Sequence, residues 1–186
     1  SKQDLLLGPS LAAQECDCSF ITSGQTVIDG LIIEDYRENH VKEPLERRGF
    51  DSNMWIWEYP DYAKDYVLSA DVSRGDGSDY SAFHVLEIES MKQVAEYKGK
   101  LGTKDFGNMC VSVATEYNKA LLIVENNNIG WSAIQTIIDS EYPNIFYTSK
   151  DLMYVDTSQQ MTYRYRSQDR NMVPGFSMTT KTRPLV

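Results

Sequence analysis

The sequence predicts an α/β fold in which a mixed β-sheet, antiparallel first and parallel later, is covered by helices. Three observations predict it. Residues 66–99 carry three alternating apolar runs with short turns between them, the pattern of consecutive antiparallel strands. From residue 103 onward, segments with apolar residues every three or four positions alternate with short continuous apolar runs. Such strand–helix–strand units pair their strands in parallel. Finally, two of the strand-like runs, "YVLSAD" and "LLIVE", both end on a carboxylate, at Asp71 and Glu125.

Taken in order, residues 1–24 have no complete pattern of their own and read as the tail of another unit. "TVIDGLII", 26–33, is expected to be a short strand broken by Gly30. The highly charged residues 34–53 are expected to form a solvated loop or linker. "MWIWEYP", 54–60, alternates and stops at Pro60, as an edge strand or an extended lead-in does. Strands follow at 66–72, 80–89 and 92–99, the last two close enough for a hairpin. Phe106, Met109, Cys110, Val113 and Tyr117 mark one face of a helix over 103–120, with Thr103 in the N-cap position. "LLIVE", 121–125, is a buried strand, and "NNNIG" turns into a second helix with Trp131, Ile134, Ile137 and Ile138 at helical spacing. Pro143 ends that helix and 144–148 is a further strand; 149–178 is polar, tyrosine-rich and irregular. The order of three antiparallel strands, helix, strand, helix, strand is that of the ribonuclease H-like fold.

Composition narrows the function. The chain has 186 residues and a formal net charge of −9, which by itself argues against nonspecific binding of nucleic acid, because phosphate contacts need Lys and Arg. A site that holds metal ions with carboxylates escapes this argument, since the ion brings the positive charge. Three cysteines, Cys16, Cys18 and Cys110, do not make a disulfide framework, and C-x-C with two histidines is a weak zinc pattern. A reducing compartment is expected, with no membrane segment.

The carboxylates carry the chemistry. In the predicted topology the strands ending at Asp71 and Glu125 are parallel neighbours, so two acids distant in sequence meet at one sheet edge. Two carboxylates that close repel unless a cation lies between them. Mg²⁺ and Mn²⁺ take oxygen ligands, and a pair of such ions drives phosphodiester hydrolysis. Gly75 and Gly77 let the loop after Asp71 turn close to an ion or phosphate, and Asp76 and Asp79 are candidates for additional or outer-shell ligands, with an ordinary turn aspartate as the plain alternative for each. A strand-end aspartate that merely accepts turn hydrogen bonds is the plain alternative for Asp71, and a carboxylate that reaches solvent is the plain alternative for Glu125. His84 is expected to be a half-buried structural residue, Glu87 and Glu89 to face solvent, and Trp55, Trp57 and Trp131 to anchor the core or an interface. Asn126, Asn127 and Asn128 are expected to form the turn. Lys181 and Arg183 are candidates to grip a phosphate, with a plain solvated helix start as the alternative.

"YVLSADVSRGDGSDYSAFHVLEIE", "LLIVENNNIGWSA" and "TTKTRPLV" resemble the C-terminal nuclease domain of the large terminase subunit of tailed bacteriophages, the T-even-like group especially, and "QECDCSF" and "SGQTVI" resemble its junction with an ATPase domain. The resemblance runs from about Gln14 onward and is weakest at 34–53 and 149–175. It implies an endonuclease that uses Mg²⁺ or Mn²⁺ in a two-metal site to cut concatemeric double-stranded DNA. The implied catalytic residues are Asp71 and Glu125, and the implied metal ligands are Asp71, Glu125 and Asp79. The implied partners are DNA, an N-terminal ATPase domain, the portal and the small terminase subunit, in the cytoplasm of the infected host. No G-x-x-x-x-G-K-[ST] motif is present, so residues 1–33 are expected to be the tail of the ATPase domain and its junction, 34–60 a linker and lead-in strand, and 61–186 an incomplete nuclease domain. The family's third carboxylate belongs to a "DD" pair beyond a "TTKTRP"-like segment, and the sequence stops at Val186 before such a pair, so low activity is expected of this chain. Two other classes stay open: a module that docks DNA or portal without cutting, and half of an actin-like phosphotransferase, whose first strand also leads into a phosphate-cradling loop.

Overall fold

The computed structural model describes residues 28–149 and 172–178. The chain divides into two compact units, 1–43 and 44–186. In the first, helix α1 spans Gly30–Asn39, where the sequence predicted a strand over 26–33. The reason is local. Asp29 accepts a hydrogen bond from the Leu31 N–H at 2.8 Å and so caps the first turn, and Asn39 donates to Asp35 one turn back, also at 2.8 Å. Three consecutive aliphatic residues after the cap are too few to override it.

The second unit is built on a six-stranded sheet: β1 (Glu46–Arg48), β2 (Met54–Ile56), β3 (Tyr66–Asp71), β4 (Ser81–Glu87), β5 (Gln93–Gly99) and β6 (Leu121–Val124). Their spatial order is β1-β2-β5-β4-β3-β6; β6 runs parallel to β3 and every other pair is antiparallel. The last four positions give the third, second, first and fourth strands of a ribonuclease H-like sheet.

Two predictions are corrected here. The charged stretch 34–53 is not all loop, because it holds the end of α1 and the whole of β1. Strand β2 is not an edge strand, because β1 covers its outer side. Charge did not exclude β1 because its charges are paired: the Arg48 guanidinium donates to Glu46 at 2.6 Å and to both carboxylate oxygens of Glu116 at 2.9 and 3.0 Å.

Helix α2 (Thr103–Glu116) and helix α3 (Gly130–Asp139) pack against each other and against one face of the sheet. Leu68, Ala70, Phe83, Val85, Leu122 and Val124 project from the strands into a core shared with Phe106, Cys110, Val113, Ile134 and Ile137. Phe106 lies 6.2 Å from Phe83 and 6.0 Å from Tyr97 between ring centres, which fixes α2 over the middle of the sheet. Thr103 is the first helical residue and not the cap; the cap position falls to Gly102, and the Thr103 hydroxyl instead pairs with that of Ser132 on α3 at 2.7 Å. On α3 the buried face is Gly130, Ala133, Ile134 and Ile137, so Trp131, expected as an anchor, is 45% exposed.

Parity decides the remaining corrections. Ser81, Phe83, Val85 and Glu87 share the helix-covered face of β4, so Glu87 is buried and not solvent-facing, with Lys64 donating to it at 3.1 Å. His84 points the other way and is exposed, 3.7 Å from Glu96 on β5. Glu89 is exposed as predicted.

Beyond α3, Ile145 bridges β6 in parallel, and β7 (Tyr147–Ser149) pairs with β8 (Met172–Pro174). Phe176 then bridges Glu125, also in parallel. Two separate segments thus share the free flank of β6. Among the described residues no helix is long and apolar enough to cross a membrane.

Candidate metal centre

The register of β3 and β6 brings the two predicted acids together. Ala70 pairs with Val124, and the Glu125 N–H donates to the Ala70 carbonyl at 3.1 Å, so Glu125 continues the ladder beside Asp71. Leu68, Ala70, Leu122 and Val124 all face the core. By the two-residue alternation, Asp71 and Glu125 both project from the opposite face, on strands about 4.8 Å apart. Asp71 is exposed and Glu125 is half-buried. The Glu125 Oε1 accepts a hydrogen bond from Asn127 Nδ2 at 2.9 Å.

After Asp71 the chain enters a loop that walls a cavity of about 510 Å³, lined by Asp71, Ser73, Arg74, Asp76, Asp79 and Tyr80 among others. Glu125 is not part of this lining. The loop is held by residues that sequence reasoning passed over. The Ser73 N–H donates to Ser81 Oγ at 2.9 Å, and Ser73 Oγ donates to the Asp79 carbonyl at 3.2 Å. Both serines are buried, so these bonds close the loop from inside. Of the two glycines, only Gly75 needs to be one: its φ is +79°, and a Cβ there would strike the Leu101 carbonyl oxygen. Asp76 and Asp79 are both exposed.

The donor set suits a hard divalent cation. Two carboxylates reach one face of one sheet edge, and magnesium typically uses one or two carboxylates together with water and phosphate oxygens. Among the described residues no group of three His, Cys, Asp or Glu side chains stands close enough to hold a metal ion. Asp139, at the end of α3, accepts instead from Gln135 at 2.8 Å. Lys181 and Arg183, like Cys16 and Cys18, lie outside the described residues.

Two features were missed in the sequence. Lys98 and Lys100 both reach the ring of Tyr80, at 5.1 and 5.0 Å from its centre, and put positive charge at the rim of the cavity that Tyr80 lines. Their alternation, K-x-K at the end of β5, is the only signal in the sequence. The second is the asparagine run. Asn128 is a turn residue with φ +47°, as expected, but Asn126 is buried and bonded to distant backbone.

The chain is similar to phage terminase nucleases. The large terminase nuclease from thermophilic phage G20c with bound zinc matches at 18% identity, covering 65% of this chain and 64% of that one, with a TM-score of 0.48. The same nuclease with bound magnesium matches at 18% identity over 55% and 52% of the two chains, TM-score 0.47. The Thermus phage P74-26 large terminase nuclease domain matches at 22% identity over 54% and 49%, TM-score 0.43. The chain therefore spans between about half and two-thirds of the length of these structures. No known protein-family profile matches the chain. The strand order given above defines the fold independently of these likenesses.

Proposed function

We propose that this chain is the nuclease module of a phage DNA-packaging terminase of the T-even-like kind, hydrolysing DNA phosphodiesters with divalent ions held at Asp71 and Glu125. One observation supports the reading: the β3–β6 register, continued by the Glu125 N–H to Ala70 carbonyl bond, puts Asp71 and Glu125 at adjacent strand ends, and alternation then gives both side chains the same face. Side by side and without a cation they would repel. Mg²⁺ or Mn²⁺ bound there, one ion or a pair, would polarise the scissile phosphate and make a bound water acidic. The residues of the chain hold and orient. Asp71 and Glu125 supply anionic oxygens from rigid strand ends. In this reading Asp79 would add a ligand from the loop, although it does not stand with Asp71 and Glu125 as a group of three acids; Gly75 keeps that loop tight against Leu101.

The substrate in this reading is double-stranded DNA, gripped through its backbone with little base readout, with Lys181 and Arg183 on phosphates. In the whole terminase, residues 1–33 end the ATPase domain, 34–60 lead in, and 61–186 belong to the nuclease. Portal and small subunit are the expected partners, in the cytoplasm of the infected host. A second reading is a docking module that binds DNA or portal without cutting; the absence of a third acid beside the pair among the described residues favours it.

Mn²⁺ separates the two. The nuclease reading expects Mn²⁺ to raise the melting temperature and Asp71→Asn to abolish the rise. A flat response in both proteins favours docking. In a longer chain assayed for plasmid nicking with Mg²⁺, activity that survives Glu125→Ala would contradict the role given to Glu125.

A further inference from the structure

We propose that Asn127 is a positioning residue for the metal centre, tying the Glu125 carboxylate to the backbone of the returning segment 172–178. The inference rests on the reading of Glu125 as a metal ligand. Asn127 Nδ2 donates to Glu125 Oε1 at 2.9 Å and to the Met178 carbonyl at 2.8 Å. A side-chain amide has two N–H donors, and both are engaged. A glutamate at a strand end has three side-chain torsions and would otherwise sample many rotamers. Holding Oε1 removes most of that freedom and leaves Oε2 for an ion.

The other end of the tie is itself anchored. Met178 lies 51 residues beyond Asn127, and the segment leading to it is fixed by Asn126. Asn126 Nδ2 donates to the Pro174 carbonyl at 3.0 Å, its Oδ1 accepts from Ser177 Oγ at 2.8 Å, and its N–H donates to the Phe176 carbonyl at 2.9 Å. The turn is also closed tightly from behind, since a Cβ on Gly130 would collide with the Glu125 carbonyl oxygen. Adjacent asparagines thus divide the work. Asn126 binds the segment, and Asn127 links the bound segment to the carboxylate. Partners that orient a metal ligand change metal affinity typically 10- to 100-fold when removed.

The test is calorimetric titration of the full chain with Mn²⁺, alongside metal-free melting. Asn127→Ala is expected to weaken Mn²⁺ binding about tenfold or more. Ser177→Ala, which removes the hydrogen bond to Asn126 Oδ1, is expected to lower the metal-free melting temperature but to leave Mn²⁺ affinity within about twofold, well short of that range. Equal weakening in the two variants would assign the effect to general loosening and overturn the proposal. Unchanged affinity in Asn127→Ala would overturn it and leave the metal reading standing. Absence of Mn²⁺ binding in the unaltered chain would overturn both. Should Asn127→Ala not fold, the side-chain amide NMR signals of Asn127 in the unaltered chain provide the measurement: they are expected to move on Mg²⁺ titration, and signals that stay fixed while Mg²⁺ binds would overturn the proposal.

Discussion

At Gly75 the backbone takes a φ of +79°, and the space where a Cβ would stand is filled by the Leu101 carbonyl. Gly75→Ala is therefore expected to destabilise the protein by about 1–3 kcal/mol, read as a lower urea midpoint. Gly77, two residues on, is the comparison. A Cβ there meets nothing nearer than the Asp79 nitrogen at 4.0 Å, so Gly77→Ala is expected to stay within about 1 kcal/mol of the unaltered protein and on the stabilising side. Glu87 makes a second prediction at this scale. Hydrogen bonding from Lys64 holds its carboxyl below the usual carboxylate range, and the same contact raises the Lys64 ammonium. A depressed folded-state value means that the contribution of Glu87 is present above its unfolded value and lost as pH falls through the folded one. For Lys64 the sign reverses, with loss as pH rises through the raised value. Lys64→Met leaves a buried carboxylate without its cation, so the variant is expected to be less stable at neutral pH. Its deficit is expected to shrink as pH falls below the usual carboxylate range, in urea titrations at a series of pH values.

Between elements, α2 and α3 approach closely at Gly107. A Cβ at Gly107 would stand 2.9 Å from the Ala133 carbonyl oxygen and 3.1 Å from Thr136 Cβ. Helices meeting this closely must move apart to admit a methyl group. Gly107→Ala is expected to cost about 1–3 kcal/mol, checked by thermal melting. Adding Thr136→Ala is expected to recover only part of that loss, because the carbonyl contact is backbone and stays. Strand β1 belongs at this scale too. Its Arg48 is held by Glu46 and by both oxygens of Glu116, and this paired cluster explains why charged residues tolerate a strand.

Across the whole second unit, β6 is the junction. Its core side carries Leu122, fully buried, and its free flank receives both the 144–146 and the 175–176 segments. Leu122→Ala is expected to cost about 2–5 kcal/mol in guanidinium unfolding. Hydrogen exchange should also quicken in both flanking segments, since the Phe146 N–H donates to the Leu122 carbonyl and the Phe176 N–H to the Val124 carbonyl, at 2.9 and 2.8 Å. In the proposed reading Glu125, at the end of this same strand, holds the metal, so Mn²⁺ binding is expected to protect those amides in turn.

The sequence by itself determined the strands 66–99, the helices α2 and α3, the strand β6, and the two acids at strand ends. Those are period signals, and a period survives without knowledge of partners. It also placed Asp71 and Glu125 at one edge, because parallel pairing of β3 and β6 follows from element order. Only the tertiary structure decided which face of β4 carries Glu87, that charged residues 46–48 join the sheet, and that Asn126 and Asn127 bond to backbone about 50 residues away. Alternation fixes that successive side chains oppose each other but not which set meets the core. A hydrogen bond between residues so far apart in the chain leaves no periodic trace, since its partner is set by how the segments fold together.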